Sequence, residues 1–282
     1  MDYIYNFLND TWLMDGDALR RLSASILPAL THGDLASVES RLKASHVSCY
    51  ATTPYMADRW ELSDPSLPEG SVAVLELEGP LYAWETFRLE RLLEQVEGNG
   101  RIVGVVLWVN GPGGMTTHVD VVAKMIRELE KPVAVFVADL MASAHFWIGS
   151  GAGRRFLASE LCRVGSVGIV GTYISMAKAY EMAGIDYREI YPDTSDLKNR
   201  TVRDIEENND ESRIKKELET LHLEFCRQVS EALGIEYDPE AELFRGELFD
   251  GRRALELGLA DEVGTLKDAV AWVTAQSVIR QI

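Results

Sequence analysis

Residues 102–147 read IVGVVLWVNGPGGMTTHVDVVAKMIRELEKPVAVFVADLMASAHFW, and the fold class turns on this stretch. Residues 102–109 form a nearly continuous β-branched and apolar run, the mark of a strand buried on both faces. Asn110-Gly111-Pro112-Gly113-Gly114 interrupts it. Helical periodicity follows over residues 117–130, and Pro132 opens a second buried strand at 133–138. Strand, glycine turn, helix and strand in that order predict an α/β fold whose parallel strands are joined by right-handed crossovers.

Working outward, residues 72–78 (VAVLELE) predict a preceding strand, with a turn and a helix between it and residue 102. Residues 48–70 lose periodicity and carry Pro54, Pro65 and Pro68, so they are expected to be a connector. Ahead of it, two short helices broken at His32-Gly33 are expected, one with the stripe Leu19, Leu22, Ile26 and Leu30, the other with Leu35, Val38 and Leu42. The chain therefore divides into a helical extension (1–47), a connector (48–70) and a main domain (71–282). Downstream, Ile214, Leu218, Leu221, Phe225, Val229 and Ala232 form one stripe on a long helix expected from about residue 204 to 233. The bland reading of that stripe is packing on the core or on a sister subunit.

The chain has 282 residues, 46% hydrophobic and 26% charged, which excludes a disordered chain. Its 45 acidic against 28 basic residues give a net charge of −17, which argues against a nucleic-acid surface or an anionic-membrane patch. Cys49, Cys162 and Cys226 have no metal-site spacing and read as reduced thiols. The opening MDYIYNFLND has no basic n-region, and no apolar run approaches 18 residues. A cytoplasm-like location is expected, with no cofactor, no metal and no membrane anchor.

Two strand ends carry the chemistry. Glycines in Asn110-Gly111-Pro112-Gly113-Gly114 can adopt positive φ and leave amide groups open to a phosphate or an oxyanion, although an ordinary tight turn explains them as well. In Met141-Ala142-Ser143-Ala144-His145, Ser143 sits among small neighbours at a strand-to-helix junction. It is either a helix cap or a nucleophile that substrate can approach.

Four stretches in order, GRIVGVVLWVNGPGGM, KPVAVFVADLMASAHFWIGSGAG, VGSVGIVGTYISMAKAYEMAGIDYREI and GLADEVG, make residues 70–275 resemble the signal peptide peptidase A family of Ser/Lys endopeptidases. The resemblance implies a Clp protease/crotonase-like α/β fold of repeated ββα units. It implies Ser143 as nucleophile and, after a strand following EMAGI, Lys198 as base. The usual glycine a few residues before that lysine is replaced here by Thr194, Ser195 and Asp196. Lys178 is the competing lysine, better read as a solvated residue on a helix. Ser166 could orient the amine or simply hold a turn. The backbone N–H groups of Gly114 and Ala144 are the expected oxyanion donors.

A serine hydroxyl needs a base, and lysine serves only when neutral. Bringing its pKa from about 10.4 to about 7 requires on the order of 4.5 kcal/mol, which burial can supply. A Ser-His-Asp triad fails on spacing, because no histidine lies between His145 and His222. His145 is read as a pocket wall or packing residue, and His118 as a helix start or cleft residue.

The AS-A-x-(Y/F)-W-I variant around Ser143, with a helical acidic extension in place of an anchor, is similar to the bacteriophage prohead members. That implies scaffold or capsid-assembly proteins as substrates, in a host cytoplasm or a procapsid. It also implies a homo-oligomer in which a neighbouring protomer donates the lysine. The alternatives are a soluble bacterial signal-peptide-peptidase-like protease, a catalytically idle assembly factor, and a crotonase-type acyl-CoA enzyme. The last would need carboxylates where Ser143 and Lys198 stand.

Overall fold

The computed structural model describes residues 12–14, 16–32, 34–42, 46–53, 55–56, 58–173, 175 and 177–280. The first ten residues, Gly33 and Pro54 lie outside them, as do the side chains of Leu30, Leu35 and Leu42.

The described chain begins with β1 (Trp12–Met14), α1 (Gly16–Thr31), α2 (Leu35–Leu42), β2 (His46–Thr52) and β3 (Ser71–Glu78). It continues through α3 (Ala83–Gly98), β4 (Ile102–Gly111), β5 (Gly113–Met115), α4 (Val119–Glu128), β6 (Val133–Ala142) and α5 (Ala144–Ser150). Then come β7 (Arg154–Leu157), β8 (Arg163–Gly165), α6 (Ala177–Met182), α7 (Arg200–Asn208) and α8 (Ser212–Leu233). The last elements are β9 (Leu248–Asp250), α9 (Gly251–Glu256), β10 (Glu262–Val263) and α10 (Leu266–Ile279).

The main sheet has the order β10-β7-β6-β4-β3-β2. All its pairs are parallel except β2 on β3. Alternation along β4 explains the apolar run. Val105, Leu107 and Val109 face one layer with α3 and α4, while Val106 faces the other with Val270 and Val273 of α10. The expected α/β architecture is what forms.

At its carboxyl end β6 exchanges partners. Residues Ala134–Val137 pair with β7, whereas Leu140–Ala142 pair with β8, whose other neighbour is the antiparallel β9. The sheet therefore splits at the point where Ser143 leaves it. Crevices of this kind, beyond the carboxyl ends of parallel strands, are where α/β proteins hold ligands.

Three expectations need revision. Residues 46–52 of the expected extension and connector form β2, paired residue for residue with β3 from His46↔Glu78 to Thr52↔Val72. Its burial follows no clean alternation, with Val47, Tyr50 and Ala51 buried, so no period of two marks it as a strand beside the nearby prolines. The expected long helix is broken by Asn209 at φ 51°, which separates α7 from α8. Among the described residues the expected strand directly after EMAGI does not form, and Ile185, Tyr187 and Ile190 are exposed to solvent.

Candidate active site

Ser143 is the hinge between β6 and α5, with φ 55° and ψ −115°. A non-glycine residue at that angle is strained, and such strain persists only where surrounding contacts enforce it. Here the Ser143 N–H donates to Gly165 O at 2.8 Å, while its carbonyl accepts from Trp147 N–H at 2.8 Å. The hydroxyl donates to Gly168 O at 3.4 Å. Both Gly165 and Gly168 flank Ser166, so the Gly165-Ser166-Val167-Gly168 turn is the second wall of the site. Ser166 is half-buried, also at positive φ (57°), and its N–H donates to Glu247 O at 2.6 Å.

α5 is fixed from behind. Trp147 stacks on Phe225 of α8 at 4.4 Å between ring centres, and its indole N–H donates to Gln228 Oε1 at 3.0 Å. The lower half of the apolar stripe on α8 therefore serves the core under the nucleophile candidate, as the periodicity implied.

The glycine loop forms the opposite wall. The Gly113 N–H donates to Nδ1 of His145 at 2.9 Å. Accepting at Nδ1 requires that the neutral ring carry its proton on Nε2. Complete burial drives the imidazole pKa down to about 3, so the ring stays neutral. His145 is thus more than a packing residue, because it locks the loop to the turn after Ser143. This role escaped the sequence reading. The signal was present in the two-residue spacing from Ser143, which puts His145 on the first turn of α5. With Gly113 N–H occupied by His145, Gly114 is the glycine whose amide can serve a substrate. The Ala144 N–H, first in α5, has no intrahelical partner by position.

Gly113 has φ 102°, and a side chain there would begin 2.0 Å from the carbonyl oxygen of Leu13 and 2.9 Å from Ser143 Cβ. Leu13 belongs to β1, which pairs antiparallel with β5 in the register Trp12↔Met115, Leu13↔Gly114 and Met14↔Gly113. Ser143 is fully buried, and β1 lies along its glycine wall. This covering strand was not read from the sequence.

The lysines lie apart from this cluster. Lys198 is exposed, in a turn where its N–H donates to Ser195 O at 3.1 Å. Lys178 is exposed on α6, the position expected for a solvated helix residue. Among the described residues, neither has a hydrogen bond or ion pair to Ser143 or Ser166. His118 caps α4 at φ 67°, with Nε2 2.9 Å from Glu90 Oε2 and its ring 4.4 Å from that of Phe87. It takes no part in the Ser143 cluster.

Among the described residues, no group of His, Cys, Asp or Glu side chains is arranged to hold a metal ion. No described helix is long and apolar enough to cross a membrane. All three cysteines are free.

Comparison with known proteins follows the same outline. The chain is 23% identical over 278 residues to an Enterococcus faecium protein described as a signal peptide peptidase SppA, covering 92% of this chain and 78% of that one. It is 26% identical over 186 residues to capsid assembly protease C of Escherichia phage lambda, covering 63% of this chain and 40% of the phage protein. Among solved structures it is similar to a ClpP1 mutant from Listeria monocytogenes, with a TM-score of 0.45 and 15% identity over 70% of this chain and 94% of that one. The model of peptidase family S49 matches residues 125–280, more than half of the chain and a span that includes Ser143, Ser166 and Lys198. The chain belongs to peptidase family S49.

Proposed function

We propose that the chain is a serine endopeptidase with Ser143 as nucleophile and Lys198, supplied by a neighbouring copy, as base. The observation that carries this reading is the strained Ser143 hinge, with its hydroxyl beside the Gly165–Gly168 turn and the glycine loop on its other side. Strain at an exposed turn would relax; here two backbone hydrogen bonds, one to Gly165 and one from Trp147 within α5, and the hydroxyl's bond to Gly168 O maintain it.

In this reaction the Ser143 Oγ attacks the carbonyl carbon of the bond to be cut, and the hydroxyl proton passes to the neutral lysine amine. The oxyanion forms against the N–H groups of Gly114 and Ala144, donors whose individual loss typically costs about 3 to 4 kcal/mol in such sites. The amine then returns the proton to the departing nitrogen, and water releases the acyl group by the same path. Ser166 is at hand to orient the amine once it enters.

Lys198 exposed on a lone chain cannot do this, which is why the reading includes a second copy. Met182, Ile185, Tyr187, Ile190 and Leu197 are all exposed on the same segment. An apolar surface of that composition is suited to docking. Substrates are proposed to be capsid-assembly proteins, on the likeness to the lambda protease, with a bacterial signal-peptide-peptidase-type role as the alternative from the Enterococcus relative. The exposed lysine also suits a second reading, an inactive assembly factor.

Prolonged exposure to a serine-directed fluorophosphonate separates the two. The peptidase labels on Ser143. Labelling vanishes in Ser143→Ala and falls at least a hundredfold in Lys198→Ala, and proteolysis by the double variant is no worse than by either single one. A chain that is never labelled and cuts nothing is the assembly factor.

A further inference from the structure

β1 lies as an extended strand between the glycine loop and Val170. Trp12 spends both of its backbone groups on Val170, its N–H donating to Val170 O and its carbonyl accepting from Val170 N–H, each at 3.1 Å. In an antiparallel ladder the next residue turns the other way. Leu13 therefore directs its N–H and carbonyl at its register partner Gly114, whose neighbours Gly113 and Met115 are both engaged with Leu81. The carbonyl of Leu13 thus faces the amide named above as an oxyanion donor. It does so beside the nucleophile: a side chain begun at Gly113 would start 2.9 Å from the Leu13 carbonyl carbon and 2.9 Å from Ser143 Cβ.

The side chains divide in the same way. Leu13 is fully buried in the main core cluster, which also contains Met141, Ala144 and Phe146 around Ser143. Trp12 and Met14 point to the opposite side, into a separate cluster with Leu19 and Ile26 of α1, Val38 of α2, and Tyr82 and Met115. Trp12 meets Tyr82 edge to face, with ring centres 6.2 Å apart. The amino-terminal helices thereby hold three extended residues between β5 and Val170, over a serine with no exposed surface.

We propose that Trp12–Met14 is a built-in substrate mimic. It fills the substrate channel, keeps Ser143 inaccessible until displaced, and reports the class of segment the channel accepts: an extended, apolar stretch with a leucine-sized residue next to Ser143. What the channel is for rests on the peptidase reading; its occupation by β1 does not. The amino-terminal helices then serve as the clamp of an inhibitor rather than as an appendage.

The test uses the full chain in a Ser143→Ala background, so that binding is read without cleavage. A fluorescent nonapeptide centred on Trp-Leu-Met is followed by anisotropy. Leu13→Asp places a carboxylate in an apolar pocket and should eject β1, raising peptide affinity at least tenfold. Trp12→Cys with Met115→Cys places a disulfide across facing residues of the ladder. Oxidised, that chain should bind no peptide, and reduction should restore the affinity of the parent. Equal affinity in the oxidised and reduced chains would overturn the proposal even if Leu13→Asp failed to fold. So would a folded Leu13→Asp chain that bound no better than the parent. Fluorophosphonate labelling of the same variants with Ser143 intact is scored separately. Peptide binding that follows the pattern above, with no labelling in any variant, would retain the mimic and reject the peptidase.

Discussion

Gly113 carries three demands at once: a positive φ, an amide donated to His145, and the absence of a side chain where the Leu13 carbonyl oxygen and Ser143 Cβ converge. Gly113→Ala should therefore lower the melting temperature, since a non-glycine residue at such an angle costs about 1 to 3 kcal/mol. It should also lower kcat/KM at least a hundredfold, because the new methyl group occupies the space of a substrate carbonyl. Unchanged kinetics on a peptide substrate would show that substrate does not follow the path of β1. The glycine loop and Ser143 were legible in the sequence because glycine clusters and a serine among alanines at strand ends are local signals. The His145 contact was not, since it links residues 32 apart through a bond only the fold creates.

At the scale of elements, α3 begins with a carboxyl group placed among apolar residues. Glu85, only 4% exposed, takes backbone hydrogen bonds from Tyr82 and Val47, tying the start of α3 to β2. Desolvation outweighs those bonds and the nearby Arg88, and raises its pKa from 4.5 to about 7. The protonated form is the one the fold favours. Its stability is complete below pH 4.5 and is lost as the pH rises toward 7, because the unfolded chain ionises first. Glu85→Gln should match the parent at pH 4 and exceed it at pH 8 by on the order of 3 kcal/mol in denaturant unfolding. The same difference at both pH values would mean that Glu85 ionisation is not the cause. Strands β3, β4 and β6 and helices α1 and α2 were readable from periodicity. β1, β2 and the break at Asn209 were not. A three-residue strand has no period to detect, β2 buries Val47, Tyr50 and Ala51 without alternation, and an asparagine in a polar segment does not announce a left-handed turn.

For the whole molecule, the family, the α/β fold and the place of Ser143 at a strand-to-helix junction are legible in the sequence, because the motifs lie in chain order at strand ends. The pairing of Ser143 with a neighbour's Lys198, which the resemblance implies, is a statement about an assembly, and the single chain keeps the two residues apart. Ser143 is buried under β1, and Lys198 stands in solvent on a segment with exposed Ile185, Ile190 and Leu197. In the proposed mechanism the two halves make a site when copies combine. The direct measurement is complementation by subunit exchange. Ser143→Ala and Lys198→Ala chains, each inactive alone, are mixed under conditions in which exchange is verified by fluorescence transfer between labelled copies. The account predicts that proteolysis reappears in the mixture, because some interfaces pair an intact serine with an intact lysine. A mixture that exchanges and stays inactive would contradict it.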